Sequence, residues 1–331
     1  MAAPRRPMRL KTAAETLRWL ERDVSPRLRE RTEAVAHGGT ALSLLGLKDA
    51  TKDVDLGFRS RESFEAFAGA LESLGFRRTV DIMATPTEAF FRYENPASAV
   101  DYADLRFPTW NSWRLTKLVL RGAIVLPFGD LRVVRPDRDA VFLFKTYPLR
   151  ERDIDDLRGI LDRSPPDEAR VIALFDEQDA IHRAELLEET EHEPLINILE
   201  LRVRFAASVE LLGPAWRRKV PRIARHARRR FEELRIRPTL AALTKRLRAT
   251  ERLATWEDVL DESGERLRTE LAVKPGRPRG SAARTPRGSR GRRPPGGIPP
   301  GASAKAAVRA SQARARSRSI RRTRSRPRVP P

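Results

Sequence analysis

Hydrophobic positions recur most regularly over residues 60–75. Phe64, Phe67, Ala68, Leu71 and Leu74 fall on one helical face, Ser60 stands where an N-cap belongs, and Gly75 suits the left-handed residue that ends a helix. Upstream, Leu17, Leu20, Val24 and Leu28 predict a helix within residues 10–32 that Pro26 kinks or ends. The apolar run Ala34-Val35-Ala36 leads into Gly38-Gly39-Thr40, and Ala41, Leu42, Leu44 and Leu45 then predict a second helix. Acidic and apolar residues alternate from Asp53 to Phe58 with the period of a strand. Further strands are predicted at 79–83, 89–93, 99–107 and 124–134, with a helix near 112–122 and two more at 137–146 and 152–162.

Beyond Pro165-Pro166 the periodicity is helical throughout, over 167–189, 194–212, 214–234, 238–252 and 256–271. This order predicts an α+β protein. A small mixed β-sheet domain flanked by helices would occupy 1–165, with its motifs within 30–160; an all-α subdomain would occupy 166–272 and a tail 273–331.

Charge changes the picture of that tail. The formal net charge is +21, yet residues 275–331 hold 16 Arg, one Lys and no acid, which leaves +4 for residues 1–274. The same stretch has ten Pro, seven Gly and no aromatic residue, too little apolar surface to offset the entropy of ordering its backbone. It is expected to be disordered. Its arginines suit nonspecific contact with a nucleic acid or another acidic surface, although an unselected basic extension has the same composition. A second basic run, 217–230, places Arg218, Arg222, Arg225 and Arg229 in one stripe on a continuous helix. That stripe suits RNA or an acidic partner; it equally suits a solvated face paired with nearby acids.

The chain has no cysteine, which excludes disulfides, a thiolate zinc site and a cysteine nucleophile. No stretch of about 18 apolar residues and no signal-peptide pattern occurs, so no membrane partner is expected and the cytoplasm is the expected location. His182, His192 and His226 lack metal-ligand spacing, and His37 and the tryptophans are assigned to packing.

The candidate chemistry lies in Gly38-Gly39-Thr40 and Asp53-Val54-Asp55. Two glycines at a strand-to-helix turn let backbone N–H groups approach an anion, and the Thr40 hydroxyl can reach the same phosphate. Asp53 and Asp55, two apart on a strand, present both carboxylates on one face. Such hard oxygen pairs bind Mg²⁺, the ion of phosphoryl and nucleotidyl transfer.

These residues, with the fuller run Leu47-Lys48-Asp49-Ala50-Thr51-Lys52-Asp53-Val54-Asp55-Leu56, resemble the signature of the DNA polymerase β-like nucleotidyltransferase superfamily. Within it, the chain resembles small prokaryotic, especially archaeal, nucleotidyltransferases related to toxin–antitoxin and abortive-infection proteins. A second block carries the resemblance downstream: Val133-Val134-Arg135-Pro136, Phe142-Leu143-Phe144-Lys145 and Arg150-Glu151-Arg152-Asp153-Ile154-Asp155-Asp156-Leu157.

The resemblance, which covers about residues 30–165, implies Mg²⁺-dependent transfer of an NMP from an NTP (ATP first) to a hydroxyl of a protein, tRNA or small-molecule acceptor. Asp53 and Asp55 would hold two Mg²⁺ ions with a third carboxylate, Asp104 or, as the alternative, Asp101. These two lie three apart on a predicted strand, so one of them faces the pair. Gly38, Gly39, Thr40, Lys52 and Lys145 would bind the nucleotide, and Lys48, Arg150, Arg152 and Asp153 would lie nearby. The alternative of another class is a noncatalytic nucleic-acid- or partner-binding protein on the same fold.

Overall fold

A computed structural model describes residues 10–85, 88–110, 113–188, 193–250, 266–267 and 269–271. They belong to the first of two units, Met1–Pro275; the second, Gly276–Pro331, lies outside the described residues, and with it the expectations attached to the basic tail. Most of the helix expected at 256–271 lies outside them as well. Among the described residues no helix is long and apolar enough to cross a membrane.

Helix α1 (Ala13–Trp19) starts at Thr12, whose hydroxyl accepts the Glu15 N–H at 3.3 Å while the Glu15 carboxylate accepts the Thr12 N–H at 2.8 Å. Its path widens at Leu20–Val24, then tightens at Ser25–Arg27, where Pro26 ends it. Strand β1 (Thr32–Ala36), helix α2 (Gly38–Leu44), strand β2 (Val54–Gly57) and helix α3 (Arg61–Ser73) follow. Helix α3 has the predicted ends: the Ser60 hydroxyl accepts the Ser63 N–H at 3.2 Å, and Gly75 has φ +80°. Phe64, Phe67 and Leu71 are buried beneath it.

Strands β3 (Arg77–Thr85), β4 (Glu88–Glu94) and β5 (Tyr102–Phe107) come next, then the short pair β6 (Thr109–Trp110) and β7 (Trp113–Arg114). The region 124–134 is a hairpin, β8 (Ile124–Phe128) and β9 (Leu131–Arg135), rather than one strand. Gly129-Asp130 makes its turn, with Gly129 at φ +55°. The helix expected near 112–122 does not form. Gln178 holds the Arg114 backbone extended, accepting its N–H at 2.7 Å and donating to its carbonyl at 3.1 Å, while Val119 is buried in the turns that follow. A tertiary clamp here overrides local propensity.

The sheet has seven strands in the order β3-β4-β5-β2-β1-β9-β8. Strands β2 and β5 run parallel at its centre, in a register that pairs Asp55 with Asp104. Residues paired in this way point to the same face, so strand order alone sets two carboxylates side by side. Helices α4 (Arg138–Lys145) and α5 (Glu151–Arg163) complete the first region.

Helices α6 (Glu168–Glu188), α7 (Glu193–Leu212), α8 (Pro214–Arg217), α9 (Pro221–Glu232) and α10 (Leu240–Thr250) make up the rest. The segment expected as one helix over 214–234 is two, because Pro221 cannot continue the ladder and opens α9 instead. The arginine stripe is therefore divided, with Arg218 on the end of α8 and Arg222, Arg225 and Arg229 on α9. Arg229 pairs with Glu233 at 3.8 Å and Arg230 with Asp176 at 2.6 Å. Arg218, Arg222 and Arg225 are exposed and make no ion pair among the described residues.

No break in the core marks the boundary at 165. Val171 and Phe175 of α6, Leu201 and Phe205 of α7 and Ile223 of α9 are buried in the same cluster as Leu56, Leu105 and Phe142. Phe175 stacks on Phe205 with ring centroids 4.4 Å apart. A second cluster has Leu195, Leu199 and Leu243 among its members.

Cutting at residue 165 would expose this shared core. At roughly 25 cal/mol per Å² of apolar surface, such losses exceed the margin of a small domain. A fragment ending at Pro165 should lack a cooperative thermal transition by near-UV circular dichroism, whereas the full chain shows one. A fragment that melts cooperatively would show that residues 1–165 fold on their own.

Candidate functional site

The strands and helices above converge on a cleft of about 650 Å³. Its acidic wall is Asp53, Asp55 and Asp104, each offering one oxygen within 4.8 Å of the others. Asp53 stands one residue before β2, Asp55 lies within it, and Asp104 comes from β5 beside it. Asp104 is therefore the third carboxylate. Asp101 stays outside the cluster, in the turn before β5 where its carbonyl accepts the Asn95 N–H at 3.0 Å.

Several backbone and hydroxyl groups fix this wall. Thr40 Oγ1 accepts the Asp55 N–H at 2.9 Å and donates to the Asp53 carbonyl at 3.2 Å. Thr51 Oγ1 donates to the same carbonyl at 3.1 Å. Thr51 is held in turn by a backbone bridge to Lys11, with bonds of 2.7 and 2.8 Å. Thr40 is 1% exposed, so the hydroxyl expected to meet a phosphate instead ties α2 to β2.

The Gly39 N–H also has a partner within the chain. The Gly39 N–H donates to Asp55 Oδ2 at 3.0 Å, so it orients a carboxylate rather than waiting for an anion. Gly38 has φ +52°, and a Cβ there would lie 2.3 Å from Asp55 Oδ2; one on Gly39 would lie 2.4 Å from Thr51 Oγ1. Both positions must be glycine for the strand and helix to approach this closely.

Burial and crowding raise the pKa of two members of the triad, Asp55 and Asp104. Burial, then the charges of Asp53 and Asp104, push Asp55 well above the usual carboxylate range. Burial also raises Asp104, against the opposing pull of Arg92. Arg92 grips Asp104 with both arms of its guanidinium, Nε to Oδ1 at 2.7 Å and Nη2 to Oδ2 at 2.6 Å, and reaches Asp53 Oδ2 at 3.6 Å. These hydrogen bonds raise the pKa of Arg92 above its ordinary value. The donors are hard oxygens gathered on one wall of a cleft, a set that fits a divalent cation such as Mg²⁺.

The opposite wall comes from α4 and α5. Lys145 Nζ lies 2.9 Å from Asp153 Oδ1 and 2.7 Å from Asp156 Oδ2, and Lys48 joins Asp156 at 3.0 Å. Arg150 holds the other oxygen of Asp153 at 2.6 Å. The ammonium expected to reach a triphosphate is thus engaged by two carboxylates and is 7% exposed. Lys52 and Arg152 line the same cleft, exposed and without an ion pair among the described residues. His37 is buried against Phe144, with ring centroids 5.2 Å apart, and burial lowers its pKa well below the usual histidine range.

Sequence reasoning brought Asp53, Asp55, Asp104, Gly38, Gly39, Lys52 and Lys145 to one cleft, and missed Arg92, Arg106 and Thr51. Arg92 is the lone charge in the run Phe90-Phe91-Arg92-Tyr93, which marks it as unusual in a strand. Its partner follows from the β4–β5 register, which pairs Arg92 with Asp104.

The Lys145–Asp153 pair makes a pH-dependent contribution whose sign is fixed. Burial favours the neutral acid, but Lys145 and Arg150 outweigh it and hold Asp153 below its ordinary value. Burial likewise opposes the charged lysine, but Asp153 and Asp156 outweigh it and raise Lys145. The stability from Asp153 is thus complete above the unfolded carboxylate pKa of about 4 and is lost as the pH falls through its depressed folded value. The stability from Lys145 persists until the pH rises past about 10. Asp153→Asn should cost about 3 kcal/mol at pH 7 by denaturant titration, because it leaves a buried charge underpaired. The difference from the parent should hold between about pH 6 and 8 and shrink below about pH 4. A difference independent of pH down to about 3 would contradict the pairing.

Compared with known proteins, the chain matches no family model and no curated protein, so its cleft has to be read from its own residues.

Proposed function

We propose that the chain is a Mg²⁺-dependent nucleotidyltransferase, moving an NMP from an NTP to a hydroxyl of a protein, tRNA or small-molecule acceptor. The observation that carries this reading is the convergence of Asp53, Asp55 and Asp104 on one wall of a cleft. Two glycines pack against that wall, and Lys48, Lys52, Arg150 and Arg152 are among the other residues that line the cleft. The motif resemblance across residues 30–165 supports the same reading, including a toxin–antitoxin-like setting and ATP as the first nucleotide to try.

Asp53, Asp55 and Asp104 would hold the metal, two ions by resemblance. Bound there, Mg²⁺ neutralises phosphate charge and acidifies an oxygen it touches. The protein's own groups supply the rest. Lys52 and Arg152, exposed cations at the cleft, attract and orient the triphosphate. Lys145 acts through Asp153 and Asp156, keeping α5 and the cleft wall in place. In the transfer, the acceptor hydroxyl oxygen bonds to the α-phosphorus, the bond to pyrophosphate breaks, and the hydroxyl proton leaves. By resemblance, Asp104 as the third carboxylate would favour the loss of that proton.

Pyrophosphate release from ATP, CTP, GTP or UTP, with Mg²⁺ and a broad acceptor panel, tests this. Asp53→Ala/Asp55→Ala should lower release by at least about 10³-fold, as should chelation of the metal. Asp101→Asn should change it by less than about twofold, since its side chain lies outside the triad. Equal release from the parent and the double variant would contradict the enzyme reading.

A further inference from the structure

Resting on the metal reading above, one arrangement in the cleft goes beyond it. Both oxygens of Asp104 are taken by Arg92, at 2.7 and 2.6 Å, and the same guanidinium reaches Asp53 at 3.6 Å. A cation bridging Asp53 and Asp104 would compete, for the oxygens that Arg92 holds, with a guanidinium of the same charge sign. Arg92 and Asp104 face each other across β4 and β5, so the pair is fixed by strand register and not by a chance rotamer. Their surroundings differ: the Asp104 side chain is 8% exposed, while that of Arg92 is 34% exposed and lines the cleft. The carboxylate is buried, whereas the guanidinium, over the Tyr102 ring at 5.6 Å from its centroid, is partly open to solvent.

We propose that Arg92 is a displaceable internal counter-ion, which holds the triad together without metal and must leave Asp104 when a divalent cation binds. Its role is that of a positioning residue. A two-armed, charge-assisted pair is among the strongest polar contacts available, and part of each metal-binding event goes to breaking it. Three crowded carboxylates without a cation would repel one another, so Arg92 also preserves the fold of the metal-free protein. The two roles oppose each other: removing Arg92 weakens the metal-free protein and strengthens metal binding.

The test uses the full chain, with Mn²⁺ alone titrated by calorimetry and by electron paramagnetic resonance. Arg92→Gln should bind Mn²⁺ at least about tenfold more tightly than the parent, and Arg92→Lys, which keeps the charge but loses the fork, should show a smaller gain. Metal-free Arg92→Gln should melt below the parent, and saturating Mn²⁺ should narrow the gap. A merely structural arginine would give the opposite sign, since damage to the site loosens metal binding. Unchanged or weaker Mn²⁺ affinity in both variants would overturn the proposal. If Arg92→Gln does not fold, Arg92→Lys decides by the same sign. Mn²⁺ binding that Asp53→Asn abolishes but the Arg92 variants leave unaltered would remove this inference and leave the metal reading standing. Absence of Mn²⁺ binding to the parent and to every variant would overturn both.

Discussion

Three carboxylates held within 4.8 Å of one another are the constraint on which the centre of this molecule depends. At that spacing each pair of full charges would repel by about 3–4 kcal/mol at an effective dielectric constant of about 20. The surroundings answer that repulsion in several ways. The Gly39 N–H binds one oxygen of Asp55, Arg92 binds both oxygens of Asp104, and protonation becomes easier at Asp55 and Asp104. A divalent cation would answer all of it at once, so the cluster is one that could hold a metal ion.

The fold delivers this crowding by its topology. Parallel pairing of β2 and β5 sets Asp55 beside Asp104, and the turn at Gly38 packs against Asp55 so tightly that a methyl group would not fit. Thr40 and Thr51 then lock the Asp53 carbonyl from two directions. Across the cleft, Lys145, Asp153, Asp156, Lys48 and Arg150 form a linked set of charges that fixes α5 to α4 and to the loop after α2. The helices α6, α7 and α9 matter to the site through the shared core beneath the sheet. Lys52 and Arg152 remain the exposed cations of the cleft outside these pairs, which suits them to an anionic substrate.

Much of this was legible in the sequence where the information is local. The α3 face and its caps, the Asp53–Asp55 spacing and the α4–α5 block follow from periodicity and short motifs. Two of the differences arise because the deciding partner is reached only through tertiary structure. Gln178 straightens Arg114 from 64 residues away, and Arg92 finds Asp104 through strand pairing. Lys145 reaches the cleft and Thr40 lies buried behind it, and both have partners within the chain that local sequence does not reveal, because a hydroxyl or ammonium that can meet a phosphate can equally be taken up by a neighbouring strand or helix. The hairpin at Gly129-Asp130 was readable and overlooked, since the apolar residues on both sides suggested one long strand. The net charge of +21 was informative chiefly by its location: residues 275–331 hold most of it, and the cleft draws on a few local cations instead.

The central claim is that Asp53, Asp55 and Asp104 form one cation site. Anomalous diffraction from crystals soaked in Mn²⁺ tests it most directly. The account predicts a manganese peak within about 2.2 Å of carboxylate oxygens of Asp53 and Asp55, with Asp104 released by Arg92 and turned toward the metal. Well-ordered crystals with no peak at the triad, or with manganese bound elsewhere while Arg92 still grips Asp104, would contradict it.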